Sequence, residues 1–236
     1  RSQPAPVTGH RALARSLSDI AAMGADPRFC LVSVAAPDLA WVDRFYDGLL
    51  ALAARTRTQL AGGDLAKSAR ITLDVMVCGV VPRGRALRRD TAKPGDHIYV
   101  SGPLGRLDFL HPGKFEPRLA LGRKLRKIAS ACMDLSDGLS LDLHRLCRAS
   151  GVSAQLDTIP VAPGATLEQA LHGGEDYELL FTSPSETNLQ GVARIGTIFN
   201  GAPGAVFLDG GRIIPAGWDH FENKMGSGRV SKLPGQ

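Results

Sequence analysis

Short apolar runs with the two-residue period of a strand alternate along the chain with longer stretches whose apolar residues recur near every 3.6 positions. This alternation, present in both halves, is the strongest constraint on the fold, because it calls for sheets covered by helices. Residues 10–25 read as a helix with Leu13, Leu17, Ile20, Ala21 and Met23 on one side and Gly24 at its C-cap. Residues 29–35 read as a strand, and Pro37 opens a second helix to about residue 58 that carries Val42, Tyr46, Leu49, Leu50 and Ala53 on one face. Strands are expected at 70–81 and 97–101. In the second half, helices are expected at 117–131, 136–149 and 165–171. Strands are expected there at 132–133, 152–157, 177–182, 193–199, 205–208 and 212–214, the last two forming a hairpin across Asp209-Gly210-Gly211. The fold class expected is α/β (α+β) with two domains, each a mixed sheet covered by helices. They divide in the polar segment 82–96, giving 1–90 and 91–222, with 223–236 as a flexible tail.

A chain of 236 residues can bury a core without disulfide or metal staples. Its acids are skewed to 17 Asp against 6 Glu, which points to carboxylates on loops, since Asp favours caps, turns and metal sites over helix interiors. The net charge of +5 comes from scattered Arg and Lys without interleaved aromatics, so no nucleic-acid footprint is expected, and the Arg surplus suits phosphate ligands. No apolar stretch is long enough for a transmembrane helix, and the first residues hold no apolar secretory core, so no membrane partner is expected. Cys30, Cys78, Cys132 and Cys147 form no CxxC pair and read as buried thiols of a reducing, cytoplasmic compartment.

Four clusters could carry chemistry. Met133-Asp134-Leu135-Ser136-Asp137-Gly138-Leu139 places two acids around a Ser where a strand turns into a helix. The free N–H groups of the helix mouth favour phosphate, and the carboxylates could bridge it through Mg2+; equally, Ser136 or Asp137 could simply cap the helix. Gly62-Gly63-Asp64 reads as a turn, either structural or one where the backbone approaches a ligand while Asp64 reaches a metal. Ala66 before Lys67 rules out a Walker A loop. Gly173-Gly174-Glu175-Asp176-Tyr177-Glu178 gathers three acids before an apolar run, which calls for a bound cation or a solvated loop. Asp19 interrupts a small-residue apolar helix face and needs a partner. The absence of HExxH, GxSxG and GxGxxG argues against a zinc enzyme, a hydrolase and a dinucleotide-binding dehydrogenase.

Taken in order, Leu17-Ser18-Asp19-Ile20-Ala21-Ala22-Met23-Gly24-Ala25, Gly62-Gly63-Asp64, Ala92-Lys93-Pro94-Gly95-Asp96, the Met133–Leu139 motif and Gly173-Gly174-Glu175-Asp176-Tyr177-Glu178-Leu179 resemble the thiamine-monophosphate kinases of the aminoimidazole ribonucleotide synthetase superfamily. The likeness spans about residues 9 to 221 and closes on Gly217-Trp218-Asp219-His220-Phe221. It implies ATP-dependent phosphorylation of thiamine monophosphate to thiamine diphosphate, the last step of that cofactor's synthesis, by direct in-line transfer with several Mg2+ and no side-chain base or nucleophile. Asp19, Asp64, Asp134 and Asp137 match metal ligands. Gly63, Asp64, Arg89, Ser136 and Tyr46 match contacts to ATP, and Glu175 and Trp218 match the thiamine end. The resemblance also implies a homodimer built on the first domain, with small molecules as the other partners. Two departures stand out: the family's further acidic segment has no counterpart in residues 1–8, and the stretch 105–117 is short. The alternatives are another ATP-dependent superfamily member, a ligase or selenophosphate-type synthetase, or a nucleotide-binding domain without catalysis.

Overall fold

The computed structural model describes residues 3–106 and 115–218. The first layer is a three-stranded sheet in the order β2-β1-β3, from β1 (Asp26–Ala36), β2 (Gln59–Lys67) and β3 (Thr72–Val80). The helices α1 (Ala5–Ala22) and α2 (Leu39–Thr56) cover it. Val32 and Val34 of β1 turn into this core with Leu13, Leu17, Phe45, Leu49 and Leu52, while Ser33 between them faces outward. The two helices cross at backbone contact: a Cβ on Gly9 would lie 1.9 Å from the Phe45 carbonyl oxygen. α1 starts earlier than its apolar spacing predicts, because Pro6 sits in the first turn, where its missing N–H is no loss.

The Gly62-Gly63-Asp64 turn expected from sequence is instead part of β2, which pairs in parallel with β1. The register shifts between Cys30 and Leu31, and Gly63 adopts φ +154 with its missing Cβ only 1.8 Å from where the Val32 carbonyl oxygen lies. Glycine is required here by an irregular strand pairing rather than by a turn.

The second layer is a seven-stranded sheet, β10-β9-β6-β8-β4-β7-β5. It comprises β4 (His97–Val100), β5 (Ala131–Asp134), β6 (Ser153–Leu156), β7 (Leu179–Ser183), β8 (Ala193–Phe199), β9 (Val206–Leu208) and β10 (Gly211–Ile213). All its pairs are antiparallel except β6 with β9. The expected hairpin forms, with Asp209 and Gly210 both at positive φ in its two-residue turn. α4 (Leu139–Ser150) and α5 (Leu167–His172) lie against the second sheet's own core, which includes Ile98, Val100, Leu143, Leu146 and Leu180. The helix expected at 117–131 is confined to α3 (Leu119–Leu125), after which the chain turns into β5.

Every residue of β7 is buried. Leu179 and Phe181 join the core beneath α1, together with Tyr99 and Cys132, whereas Leu180 joins the core beneath α4. The strand therefore lies between two apolar layers, which is why its sequence reads as a continuous apolar run. The tail 223–236 lies outside the described residues.

Candidate active site

β5 ends at Asp134, and the chain passes through Leu135, Ser136 and Asp137 to Gly138, the N-cap of α4 at φ 121. Neither Ser136 nor Asp137 caps this helix. Asp142, fully buried in its first turn, reaches back, and its Oδ2 accepts the N–H groups of Ser136, Asp137 and Gly138 at 3.1, 3.0 and 3.2 Å. The expected phosphate cradle at this helix mouth is thus filled by the chain's own carboxylate, a tethered anion that offers the same bonds. Burial raises the Asp142 carboxyl to about 6, against the pull of the Asp137 N–H and of Arg145. The Arg145 guanidinium bridges Asp142 Oδ1, at 3.0 Å, and the Asp137 carboxylate.

Two further segments are stitched to this loop. The N–H of Glu175 donates to the Ser136 carbonyl and that of Tyr177 to the Leu135 carbonyl, both at 2.8 Å; the N–H of Trp218 donates to the Asp137 carbonyl at 3.0 Å. Glu175 and Tyr177 hold left-handed backbone at φ 69 and 48, a conformation costing of order 1 kcal/mol each for such residues. Trp218 leaves its indole half in solvent.

The acids of this second segment find partners within the chain. Glu175 is paired with Arg11 at 2.8 Å and lies 4.0 Å from Arg15, both on α1. Asp176 accepts the N–H groups of Gly105 and Arg106. Glu178 takes a two-point contact from Arg118 at 2.5 and 2.8 Å and the Ser101 hydroxyl at 2.5 Å. Of the two alternatives expected, a bound cation or a solvated loop, Glu175 and Glu178 take the first, with arginines from distant parts of the chain as the cations. Phe115 stacks on Tyr177 at 4.3 Å, and Arg11 and Arg15 stand over these two rings. A cavity of about 460 Å3 opens beside them, lined by Arg11, Arg15, Ser16, Asp74 and Glu175.

Asp134 and Asp19 are treated differently. α1 packs on β5 and brings Asp19 against Asp134. Burial, then the Asp19 charge, raise the Asp134 carboxyl to about 6; Ser18 pulls it down. The Ser18 hydroxyl is buried and leans on Asp134, short of full hydrogen-bond geometry with it or with any other described residue. Asp19 projects from the exposed side of α1 rather than into its apolar face, yet the surrounding protein displaces enough water to raise its carboxyl too, an effect that the nearby Arg89 charge opposes. Two carboxylates brought together beside a hydroxyl are oxygen donors of the kind that a hard cation such as Mg2+ takes.

The other sequence candidates stand apart from this pair. Asp64 is exposed on β2 and shares a register row with Ser33 of β1 and Asp74 of β3. Tyr46 lies on α2, its ring edge-on to Phe45 and its hydroxyl raised by burial and by Cys30. Among the described residues, no group of three or more His, Cys, Asp or Glu gathers to hold a metal, so the four aspartates do not form a single cage. Asp142, Arg145, Arg11 and Arg118 were missed from sequence. Only Asp142, four residues beyond Gly138 in a first helical turn, carried a local signal.

Residues 3–81 match the family model for the AIR synthase related protein, N-terminal domain. The chain is 36% identical to the thiamine-monophosphate kinase of Escherichia coli K12, over 90% of this chain and 79% of that protein. It is 40% identical to the Salmonella typhimurium thiamine-monophosphate kinase over 74% of its length, and spans 64% of that relative, just under two thirds. The solved structure of AaThiL complexed with AMPPCP and TMP overlays with a TM-score of 0.86 at 31% identity, covering 93% of this chain and 82% of the other. The mixed α/β fold with two sheets is the one that structure has, and the chain belongs to the thiamine-monophosphate kinase family.

Proposed function

We propose that this chain transfers the γ-phosphoryl group of ATP to thiamine monophosphate, forming thiamine diphosphate, in a Mg2+-dependent in-line reaction. The observation that carries this reading is the pair of facing carboxylates, Asp19 and Asp134, held close at a mutual cost with Ser18 beside them. Phosphate oxygens and a hard cation relieve that cost together. When bound, Mg2+ supplies charge neutralisation between the ATP triphosphate and the acceptor phosphate. Asp19 and Asp134 would hold one such ion, with Asp64 and Asp137 assigned to further Mg2+.

The chain's own residues then position. The acceptor is a phosphate oxygen, already anionic, so no side chain has to act as base or nucleophile. Arg89 stands near Asp19, where a guanidinium can meet a phosphate. Gly63, Asp64, Ser136 and Tyr46 are assigned to the nucleotide. Glu175 and the half-exposed Trp218 indole, both tied to the Asp134–Gly138 loop, are assigned to the thiamine end, where the indole can stack on a cationic ring. The same reading takes residues 1–90 as the ATP- and metal-binding, dimer-forming half and 91–222 as its partner half, in a cytoplasmic homodimer. Among the described residues, no helix is long and apolar enough to cross a membrane.

The natural protein incubated with ATP, Mg2+ and thiamine monophosphate should yield equimolar ADP and thiamine diphosphate, and none without the metal. A chain that binds Mg2+–ATP yet forms no thiamine diphosphate would overturn this in favour of nucleotide binding without transfer.

A further inference from the structure

We propose that Arg145 is a tethered counter-cation that occupies Asp137 and competes with a divalent ion for its carboxylate. The inference rests on the metal-binding reading of the Asp134–Gly138 loop. Arg145 stands on α4 and contacts two acids with one guanidinium nitrogen, Asp137 and, at 3.0 Å, Asp142. The three side chains differ in access: Asp142 is 1% exposed, Asp137 19% and Arg145 41%. The three backbone N–H bonds of Asp142 fall on Oδ2 while Arg145 contacts Oδ1, so the loop is not held by the guanidinium alone. The guanidinium has a route out, since its side chain already borders solvent. A divalent ion and a guanidinium cannot share the same Asp137 oxygen, because they compete for its lone pairs and repel each other. Arg145 contacts Oδ2 of Asp137, so a metal that takes this oxygen displaces the guanidinium, and one on the other oxygen weakens the pair by repulsion. In the meantime the guanidinium offsets one of the two negative charges and eases the repulsion of the adjacent carboxylates.

The test is a Mn2+ titration of the whole chain without nucleotide, reading free Mn2+ by electron paramagnetic resonance, beside thermal melts. Arg145→Gln should tighten Mn2+ binding about threefold to tenfold, the scale of a partly exposed ion pair removed from competition. Arg145→Lys should fall between the two. Adding Asp137→Asn to Arg145→Gln should erase the gain, which a general change of the fold would not do. Unchanged or weaker binding in Arg145→Gln, with binding in the parent chain that is lost in Asp134→Asn, overturns the Arg145 assignment and leaves the metal reading standing. Absence of Mn2+ binding in the parent and in both Arg145 variants overturns both.

Discussion

Asp134 ends β5 and Glu178 immediately precedes β7, the strand beside it. Asp134 is paired in register with Leu179, and the Leu135 N–H donates to the Glu178 carbonyl. Both carboxylates are largely withdrawn from water, yet the protein answers them in opposite ways. Glu178 receives Arg118 and Ser101. Asp134 receives Asp19, a second acid, and only the weak pull of the Ser18 hydroxyl. Where the chain needs a carboxylate only to join β7 to β4 and α3, it supplies the cation itself. Where it brings two acids together, an internal cation, Arg89 beside Asp19, tempers them, and on the proposed reading Mg2+ completes the balance.

The largest effect that would break this contrast is on turnover. Asp134→Asn should lower thiamine diphosphate formation by about three orders of magnitude, roughly 4 kcal/mol of transition-state stabilisation. A variant with near-parental turnover would take Asp134 out of the metal site. Next in size is the compensated pair: Arg118→Ala should cost about 3 kcal/mol of stability by leaving the buried Glu178 unanswered, seen as a lower urea midpoint. A melt indistinguishable from the parent would mean that the pair is no stronger than a surface ion pair. The smallest effect has the opposite sign. Because the Asp134 carboxyl is raised to about 6 on folding, the folded chain holds a proton that the unfolded chain has already released between about pH 4 and pH 6. Its contribution to stability therefore falls as pH rises through that window and stays low at pH 7. Asp19→Asn, which removes one source of the shift, should raise the melting temperature at pH 7 by about 1–3 °C, the equivalent of less than 1 kcal/mol for a chain of this size. That gain should vanish below pH 4, and a drop in melting temperature at pH 7 would contradict the repulsion.

Much of the fold was legible in the alternation of periods, because burial on one face imposes it directly on the sequence. The strand 193–199 and the closing hairpin illustrate this, as does α1 apart from its first turn. β2 was not legible, since Gly62 and Gly63 erase the pattern where an irregular pairing requires them. At the site, the motifs placed Asp134, Ser136, Asp137, Glu175 and Trp218 on segments that the structure ties together. What the motifs could not show was the state of each charge. Arg118 is sixty residues from Glu178, and Arg11 lies farther still from Glu175. An acidic cluster looks the same in sequence whether its cations are arginines from remote helices or an absent metal.

β7 gives the site its rigidity through an unusual ownership. Leu179 and Phe181 are anchored in one apolar chamber and Leu180 in the other, like a party wall fixed from both rooms. Glu178 and its hydrogen-bonded neighbour Leu135 sit at the end of that wall. Neither half can loosen without the wall registering it, so the spacing of the carboxylates is a property of both halves at once.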